Sequence, residues 1–173
     1  MSIHFTIDRC ERLVTYVVEG GTCPVEACTF FDAVLEHPHY RCGFDFFGDL
    51  RRMGGAPEPH YVYAVAAEVV AHAVMLGPWR WAVVVADDTA HDRVRMWAAL
   101  AAPSGVLIHP FRTSEEAADW LGLPAGYAPL AQLVANPIPP AGSPGSRIRQ
   151  HSRHDRHSSD RWLPTRVLRP RVL

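Results

Sequence analysis

The stretch Arg80-Trp81-Ala82-Val83-Val84-Val85-Ala86 decides the fold of this chain. Every residue after Arg80 is apolar, without the alternation of polar and apolar residues that a half-exposed strand shows. A strand that is apolar on both sides lies inside a sheet whose two faces are covered. Such strands are typical of parallel sheets, because crossover helices pack on the faces. The stretch therefore predicts an α/β fold.

The segments around this strand alternate between strand and helix patterns. The first two predicted strands are separated by a short polar turn, which favours an antiparallel hairpin. In chain order, the predicted strands cover residues 3–8, 13–19, 44–50, 80–86 and 106–111, and the predicted helices cover about 24–36, 60–76, 89–101 and 113–121. This order predicts a mostly parallel five-stranded sheet with an N-terminal β-hairpin and four helices.

Local signals predict the faces and ends of these helices. Thr89 with Asp92 resembles a capping box, and Thr113 with Glu116 has its full pattern, so each threonine is expected to begin a helix. The second helix is expected to continue without a break to Leu76. The predicted buried face of the first helix consists of Val25, Cys28, Phe31, Val34 and Leu35.

Charge and composition divide the chain into a folded part and a tail. Residues 1–136 carry 9 Arg and 16 Asp or Glu, a net charge of −7, whereas residues 137–173 carry 8 Arg and 2 Asp, a net charge of +6. The second part is poor in apolar residues and rich in like charges, a composition that predicts disorder. We expect an α/β domain at 1–123, a short packed extension at 124–136 and a disordered tail at 137–173.

The sequence lacks the patterns of several functional classes. Its apolar runs are far shorter than the roughly 20 residues that cross a bilayer, and its first residues do not resemble a signal peptide, so a cytoplasmic protein is expected. The four cysteines have no metal-binding spacing and are expected to be reduced thiols. No phosphate-binding, dinucleotide-binding or nucleophile motif occurs. We therefore expect no catalytic residue, no metal and no cofactor.

Six short segments, taken in their order and spacing, indicate a family. They are Val17-Val18-Glu19-Gly20, His37-Pro38-His39-Tyr40, FDFFGDLR at 44–51, WAVVV at 81–85, VLIHPFR at 106–112 and EEAADWL at 115–121. With the order of the elements, they resemble the STAS-like fold of bacterial anti-sigma-factor antagonists and of SpoIIAA-like proteins. The resemblance covers about residues 3–122, and the tail has no counterpart in that family.

The resemblance implies a non-enzymatic regulatory or protein-interaction module. In the members controlled by phosphorylation, a Ser or Thr begins the helix after the third strand, and its phosphate breaks a partner complex. No Ser or Thr occurs between Phe30 and Asp88 of this chain, so the usual phosphoswitch is absent from that position. The alternative function is a carrier of a small apolar or anionic, lipid-like ligand, because lipid-binding proteins of related α/β architecture hold such ligands between helix and sheet.

We place the candidate binding site at the carboxyl edge of the parallel strands, where open α/β sheets bind ligands. The residues of this predicted site are Asp49, Arg51, Arg52, Gly54, Gly55, His60, Asp87, Asp88 and His91. Gly54 and Gly55 predict a mobile loop, and Arg51 and Arg52 predict affinity for an anionic ligand or an acidic partner. Because surface charge changes usually cost little stability, reversal of both arginines is expected to leave folding intact.

Each of these features also has a structural interpretation. Acidic residues after strands commonly cap helices, and glycines commonly serve turns. Histidines occur without neighbours at metal-ligand spacing at positions 37, 39, 60, 72 and 91. The basic tail has the charge to contact nucleic acid or anionic lipid, but we favour an extension without function. The expected partner is a protein or a small ligand bound by the folded domain.

Overall fold

The computed structural model describes residues 1–128, Leu130 and Leu133, and the tail predicted at 137–173 lies outside them. A short 3-10 turn at Ala102–Ser104 follows the helix that ends at Ala101. The elements are β1 (Ser2–Asp8), β2 (Leu13–Glu19), α1 (Pro24–Glu36), β3 (Asp45–Asp49), α2 (Pro59–Ala71), α3 (Ala73–Leu76), β4 (Arg80–Val84), α4 (Asp88–Ala101), β5 (Leu107–Phe111) and α5 (Ser114–Leu121).

The strands lie in one sheet in the order β1-β2-β3-β4-β5, which is also their order along the chain. β1 and β2 form an antiparallel hairpin. β3, β4 and β5 each run parallel to the strand before them. This topology confirms the predicted mostly parallel five-stranded sheet with an N-terminal hairpin.

Helices cover both faces of the sheet. Each parallel crossover steps in the same direction, so right-handed connections put α1, α2 and α4 on one face, where they form the larger core. α5 follows the last strand and packs on the opposite face. The smaller core on that face consists of Leu13, Phe47, Ala82, Val84, Ala117 and Leu121. Tyr127 and Leu130, from the predicted extension, also pack against it.

The stretch that decides the fold is buried on both faces, as predicted. Trp81 and Val83 contribute to the larger core, and Ala82 and Val84 contribute to the smaller one. Arg80, at the start of β4, binds Asp45 and donates hydrogen bonds of 3.1 and 2.7 Å to the carbonyl oxygens of residues 120 and 121. A cation is favourable at a helix C-terminus, so this contact holds the end of α5 against the sheet.

An aromatic contact crosses the middle of the sheet on the side of the larger core. Tyr16 on β2 pairs with Gly48 on β3. The Tyr16 hydroxyl accepts a hydrogen bond of 3.0 Å from the indole nitrogen of Trp81 on β4. The Tyr16 ring occupies the space where a side chain at Gly48 would begin, so β3 needs glycine there. The other rings packed around Trp81 are those of Phe31, Phe46 and Trp97.

The buried face of α1 differs from the predicted one. Val25, expected in the core, is 71% exposed. The residues of α1 that are buried are Ala27, Phe30, Phe31 and Val34. Phe30 contacts the rings of Phe5 and Tyr16, and burial of this large ring orients the helix more strongly than burial of a valine in its first turn.

The second predicted helix is divided at His72, so the prediction of one unbroken helix to Leu76 is wrong. A nitrogen of the His72 ring lies 2.9 Å from the carbonyl oxygen of Glu68. The ring also stacks on Phe31, with 6.0 Å between centroids. The His72 backbone N–H donates to the same carbonyl at 3.0 Å, so the ring and the backbone share it. Apolar periodicity carries no information about such a contact.

Of the two helix caps predicted from the sequence, one is wrong and the other is confirmed. Asp87, not Thr89, caps α4, because its Oδ1 accepts a hydrogen bond of 2.8 Å from the backbone of Ala90. Aspartate is a strong N-cap residue, and Thr89 lies inside the first turn. The Thr113–Glu116 capping box is confirmed, with both of its reciprocal hydrogen bonds present.

We expect the substitution Gly48→Ala to lower the free energy of unfolding by about 1–3 kcal/mol, the usual cost of overpacking a core. The new methyl group would collide with the ring of Tyr16 and disturb its bond to Trp81. Denaturant unfolding measures the change. Gly21→Ala is the matched control, since no atom lies within 4 Å of its Cβ position. Equal stability of the two variants would contradict the proposed contact.

We expect stability to fall as the pH rises above about 10, the ordinary pKa of tyrosine. Burial raises the pKa of Tyr61 to about 12 and also raises the pKa values of Tyr16 and Tyr40. The unfolded chain loses these protons first, so alkaline pH favours unfolding. Absorbance titration of phenolate should show these three of the five tyrosines ionising only as the domain unfolds. Ionisation of all five near pH 10 with intact circular dichroism would contradict this expectation.

Candidate functional site

The carboxyl end of β3 holds a buried ion pair. Asp49 is 4% exposed, and its Oδ1 and Oδ2 accept hydrogen bonds of 3.0 and 2.8 Å from Nε and Nη2 of Arg51. The Arg51 backbone N–H also donates to Oδ1, at 2.9 Å. These hydrogen bonds raise the pKa of Arg51. Arg51 therefore neutralises the charge of the buried Asp49 carboxylate.

Ser114 joins this pair, although sequence reasoning did not select it. Nη2 of Arg51 lies 3.2 Å from the Ser114 hydroxyl oxygen and donates a hydrogen bond to it. The contact joins the end of β3 to the first turn of α5. The two residues are 63 positions apart, so no local signal could have predicted it.

The loop that contains Gly54 and Gly55 is fixed by backbone hydrogen bonds. The Gly54 N–H donates to the Gly20 carbonyl at 2.9 Å, and the Gly20 N–H donates to the Arg52 carbonyl at 3.3 Å. The Arg52 side chain donates to the Glu19 carboxylate at 2.9 Å. The loop thus continues the pairing of β2 with β3, and the expectation of a mobile glycine loop is wrong for Gly54.

The other predicted site residues contact partners of their own. Asp87 caps α4, and Asp88 forms an ion pair with Arg112. His60 lies 3.1 Å from a Glu58 carboxylate oxygen, and both side chains are exposed. His91 lies 4.0 Å from an oxygen of Asp92. The edge therefore carries several separate ion pairs rather than one polar patch.

Part of the predicted site does form a cleft. Glu19, Asp49 and Arg52 line it on the face that α5 covers, together with the apolar side chains of Val17, Leu130 and Leu133 and with His4. Within the cleft, Arg52 is already paired with Glu19, and Asp49 with Arg51. Its charges are thus largely neutralised by residues of the same domain, which leaves little unpaired charge for an anionic ligand.

A second candidate site lies on the opposite face, inside the larger core, and sequence reasoning identified none of its positions. It is an apolar cavity between the sheet and α1, α2 and α4, with a volume of about 40 Å³. Its walls come mostly from aromatic and aliphatic side chains, the usual lining of a small-molecule site. The wall residues include Tyr16, Phe30, Phe31, Tyr61, Trp81 and Trp97.

Few polar groups reach this cavity. The Tyr16 hydroxyl and the Trp81 indole are bonded to each other. Trp97 is 6% exposed, and its indole nitrogen has no hydrogen-bond partner among the described residues. Arg93 is the charged residue of the lining. This arrangement can bind an apolar molecule but places no nucleophile beside a base.

The described residues contain no cluster of three or more His, Cys, Asp or Glu side chains that could hold a metal ion. All four cysteines are free thiols. Burial and the neighbouring Glu68 carboxylate raise the pKa of Cys28, so it remains protonated at neutral pH. In the described part of the chain, no helix is long and apolar enough to cross a membrane.

The fold and the site define a small α/β module with an apolar cavity under three helices. No protein-family model and no curated protein matches the chain. Among solved structures, the chain is similar to an uncharacterized protein of the DUF3478 family with a SpoIIAA-like fold, from Shewanella loihica PV-4. The sequences are 14% identical, the similarity covers 69% of this chain and 94% of that chain, and the TM-score is 0.49. The architecture of this chain rests on its own strand order and connections.

The structure separates the roles of the two adjacent arginines. Arg51→Glu would place a second carboxylate beside buried Asp49. Because the Arg51 side chain is 40% exposed, we expect a loss of about 2 kcal/mol or more, less than the roughly 3–5 kcal/mol for a fully buried pair. Arg52→Glu breaks an exposed pair and is expected to cost less than about 0.5 kcal/mol.

Chemical denaturation of the two single variants measures this difference. The earlier expectation that both reversals leave folding intact therefore applies to Arg52 alone. If Arg51→Glu unfolds at the same denaturant concentration as Arg52→Glu, the ion pair with Asp49 does not stabilise the domain.

Proposed function

We propose that this protein is a non-enzymatic interaction module that docks an amphipathic helix of a partner protein, without the usual Ser/Thr phosphoswitch. One observation carries the proposal. Of the six large hydrophobic side chains that are exposed in the described part of the chain, four lie on α2 and α3. They are Tyr63, Val70, Val74 and Met75. Exposed apolar clusters of this kind mark interaction surfaces.

The spacing of these residues matches the surface of a second helix. Tyr63, Ala67 and Val70 on α2 are separated by four and three positions, the spacing of a seam between packed helices. Val74 and Met75 on α3 continue the exposed apolar surface. Tyr63, Ala67 and Val70, with Leu100 of α4, line a shallow groove beside this seam. Small residues in the groove allow close approach of another backbone. An apolar helix face from a partner is therefore the complementary structure.

The charge of the helix favours a protein partner over an anionic membrane. Residues 59–76 contain no arginine, and the whole chain contains no lysine. Interfacial membrane helices carry basic residues on their polar face, and this helix has none. The missing phosphoswitch fits the same proposal, because residues 30–88 offer no Ser or Thr for a regulatory kinase.

The test is the double variant Val70→Glu with Val74→Glu, compared with Val25→Glu on α1. All three side chains are exposed, so folding should be retained in each protein. We expect the double variant to bind a captured, purified partner at least about tenfold more weakly, the size of effect seen at central interface residues. Calorimetry with that partner measures the affinities, and Val25→Glu should bind like the unsubstituted protein.

Sedimentation of the protein alone completes this test. If the double variant keeps full affinity for the partner, the docking surface lies elsewhere. If the unsubstituted protein instead forms dimers that the double variant cannot form, the occupant of the groove is a second copy, and the proposed partner helix is wrong.

A second candidate function, that of a carrier for a small ligand, is favoured by the apolar cavity. The cavity lies between the sheet and three helices, where lipid-binding proteins of related α/β architecture hold their ligands. Its volume of about 40 Å³ lies below the roughly 300–1,000 Å³ of small-molecule sites, so a bound ligand would have to move the helices away from the sheet. The two functions are compatible, because the cavity contacts the inner face of α2 and the groove lies on its outer face.

A further inference from the structure

The hydroxyl of Ser114 differs from the other serine and threonine hydroxyls in the described part of the chain, because it accepts a hydrogen bond from an arginine side chain. Nη2 of Arg51 donates to it at 3.2 Å. The hydroxyls of Thr29 and Ser104 instead donate to nearby backbone carbonyls, and that of Thr113 caps α5. Ser114 therefore has a positive charge directly beside its oxygen.

Arg51 has free donors for a larger acceptor at this position. A guanidinium carries five N–H groups. Nε and one N–H of Nη2 bind Asp49, and Nη2 also binds Ser114. Nη1 has no hydrogen-bond partner among the described residues, and 40% of the Arg51 side chain is exposed. Nη1 and Nη2 together form the end of the guanidinium fork, which can bind two oxygens of one phosphate.

Ser114 lies at the surface, where another protein can reach it. The residue is half-buried, and its neighbours Thr113, Glu115 and Glu116 are exposed. It is also the first residue of α5, a position at which negative charge is favourable. A phosphate on this hydroxyl would therefore find both solvent and a cation next to it.

Two carboxylates near Arg51 oppose a negative charge on Ser114. Asp49 is already neutralised by the Nε side of the same guanidinium. Glu115 is exposed, so water and salt screen its charge. The hydrogen bonds with Asp49 and the charge of Glu115 raise the pKa of Arg51, so the guanidinium remains positive. Its direct bonds to a phosphate are expected to outweigh the screened repulsion.

We propose that Ser114 is a phosphorylation site and that Arg51 binds the phosphate through Nη1 and Nη2. A kinase would transfer the γ-phosphoryl group of a nucleoside triphosphate to this hydroxyl. The bond from Oγ to phosphorus forms, the bond to the leaving nucleoside diphosphate breaks, and a base of the kinase takes the hydroxyl proton. Ser114 lies outside residues 30–88, and its phosphorylation is independent of the partner docking proposed for α2 and α3.

The phosphate would change both the stability and the charge of the carboxyl edge. It adds a charge of about −1.5 to −2 at neutral pH. Through Arg51 it would attach the first turn of α5 to the end of β3 more firmly than the hydroxyl does. The modification thereby makes this edge of the domain more rigid and more negative.

The experiment compares the full chain with the same chain carrying phosphoserine at position 114, introduced during translation. Calorimetry measures the thermal midpoint, and phosphorus NMR measures the second pKa of the phosphate. Both are repeated in Arg51→Lys, which keeps a charge for Asp49 but lacks the fork. Phosphoserine in place of Thr89 is the matched control. Thr89 is exposed in the first turn of α4, and no arginine bonds to it in the described structure.

We expect phosphoserine at position 114 to raise the thermal midpoint by at least about 3 °C, the shift that one bond to a charged group gives in a domain of this size. The second pKa of the phosphate should fall below its ordinary value of about 6, because Arg51 favours the dianion. Most of both shifts should be lost in Arg51→Lys, and both should be smaller at position 89. The comparison with position 89 remains decisive even if Arg51→Lys does not fold.

Phosphopeptide mapping of the chain from the cells that make it tests the modification itself and should find phosphate on Ser114. Its absence from Ser114 in both growing and starved cells would reject the proposed site. Equal shifts at positions 114 and 89 would show that Arg51 does not bind the phosphate. A lower thermal midpoint with phosphoserine at position 114 would show that repulsion by Asp49 and Glu115 dominates, which also contradicts the proposal.

Discussion

The contact between Tyr16 and Trp81 across Gly48 sets the geometry of the larger core. It links three neighbouring strands through side chains, and it requires a residue without a Cβ on the middle strand. Trp81 in turn packs against Phe31 of α1 and Trp97 of α4, so the same contact positions two helices on the sheet. Rigid rings fill such a space incompletely, and the apolar cavity lies among them.

The carboxyl edge of the sheet and its helical face differ in how far their charged groups are paired. At the carboxyl edge, charged residues form ion pairs with one another. Asp49 is paired with Arg51, and Glu19 is paired with Arg52. These pairs hold the ends of β2 and β3 and the start of α5 together. The helical face contains the cavity, where Arg93 has no such partner among the described residues. Binding by this domain is therefore expected on its apolar face, where fewer polar groups are already paired.

Helix α2 is the element that both proposed functions share. Its inner residues Tyr61, Val62 and Val65 line the cavity, while Tyr63 and Val70 lie on its exposed face. The helix ends where His72 bonds to the carbonyl of Glu68, and a single turn continues the exposed apolar surface to Met75. A ligand beneath the helix and a partner above it would thus contact opposite faces of one short segment.

Apolar periodicity was sufficient to predict the five strands and their mostly parallel sheet, and the Thr113–Glu116 motif was sufficient to predict a capping box, because these signals lie in residues close together in the chain. The rotation of α1, the break at His72 and the cap at Asp87 depend on contacts of individual side chains, which pattern alone does not rank. The bond from Arg51 to Ser114 and the cavity around Trp97 were beyond sequence reasoning. Each is formed by residues from distant elements, and only the packing of helices on the twisted sheet decides which of those side chains meet and which donors remain unpaired.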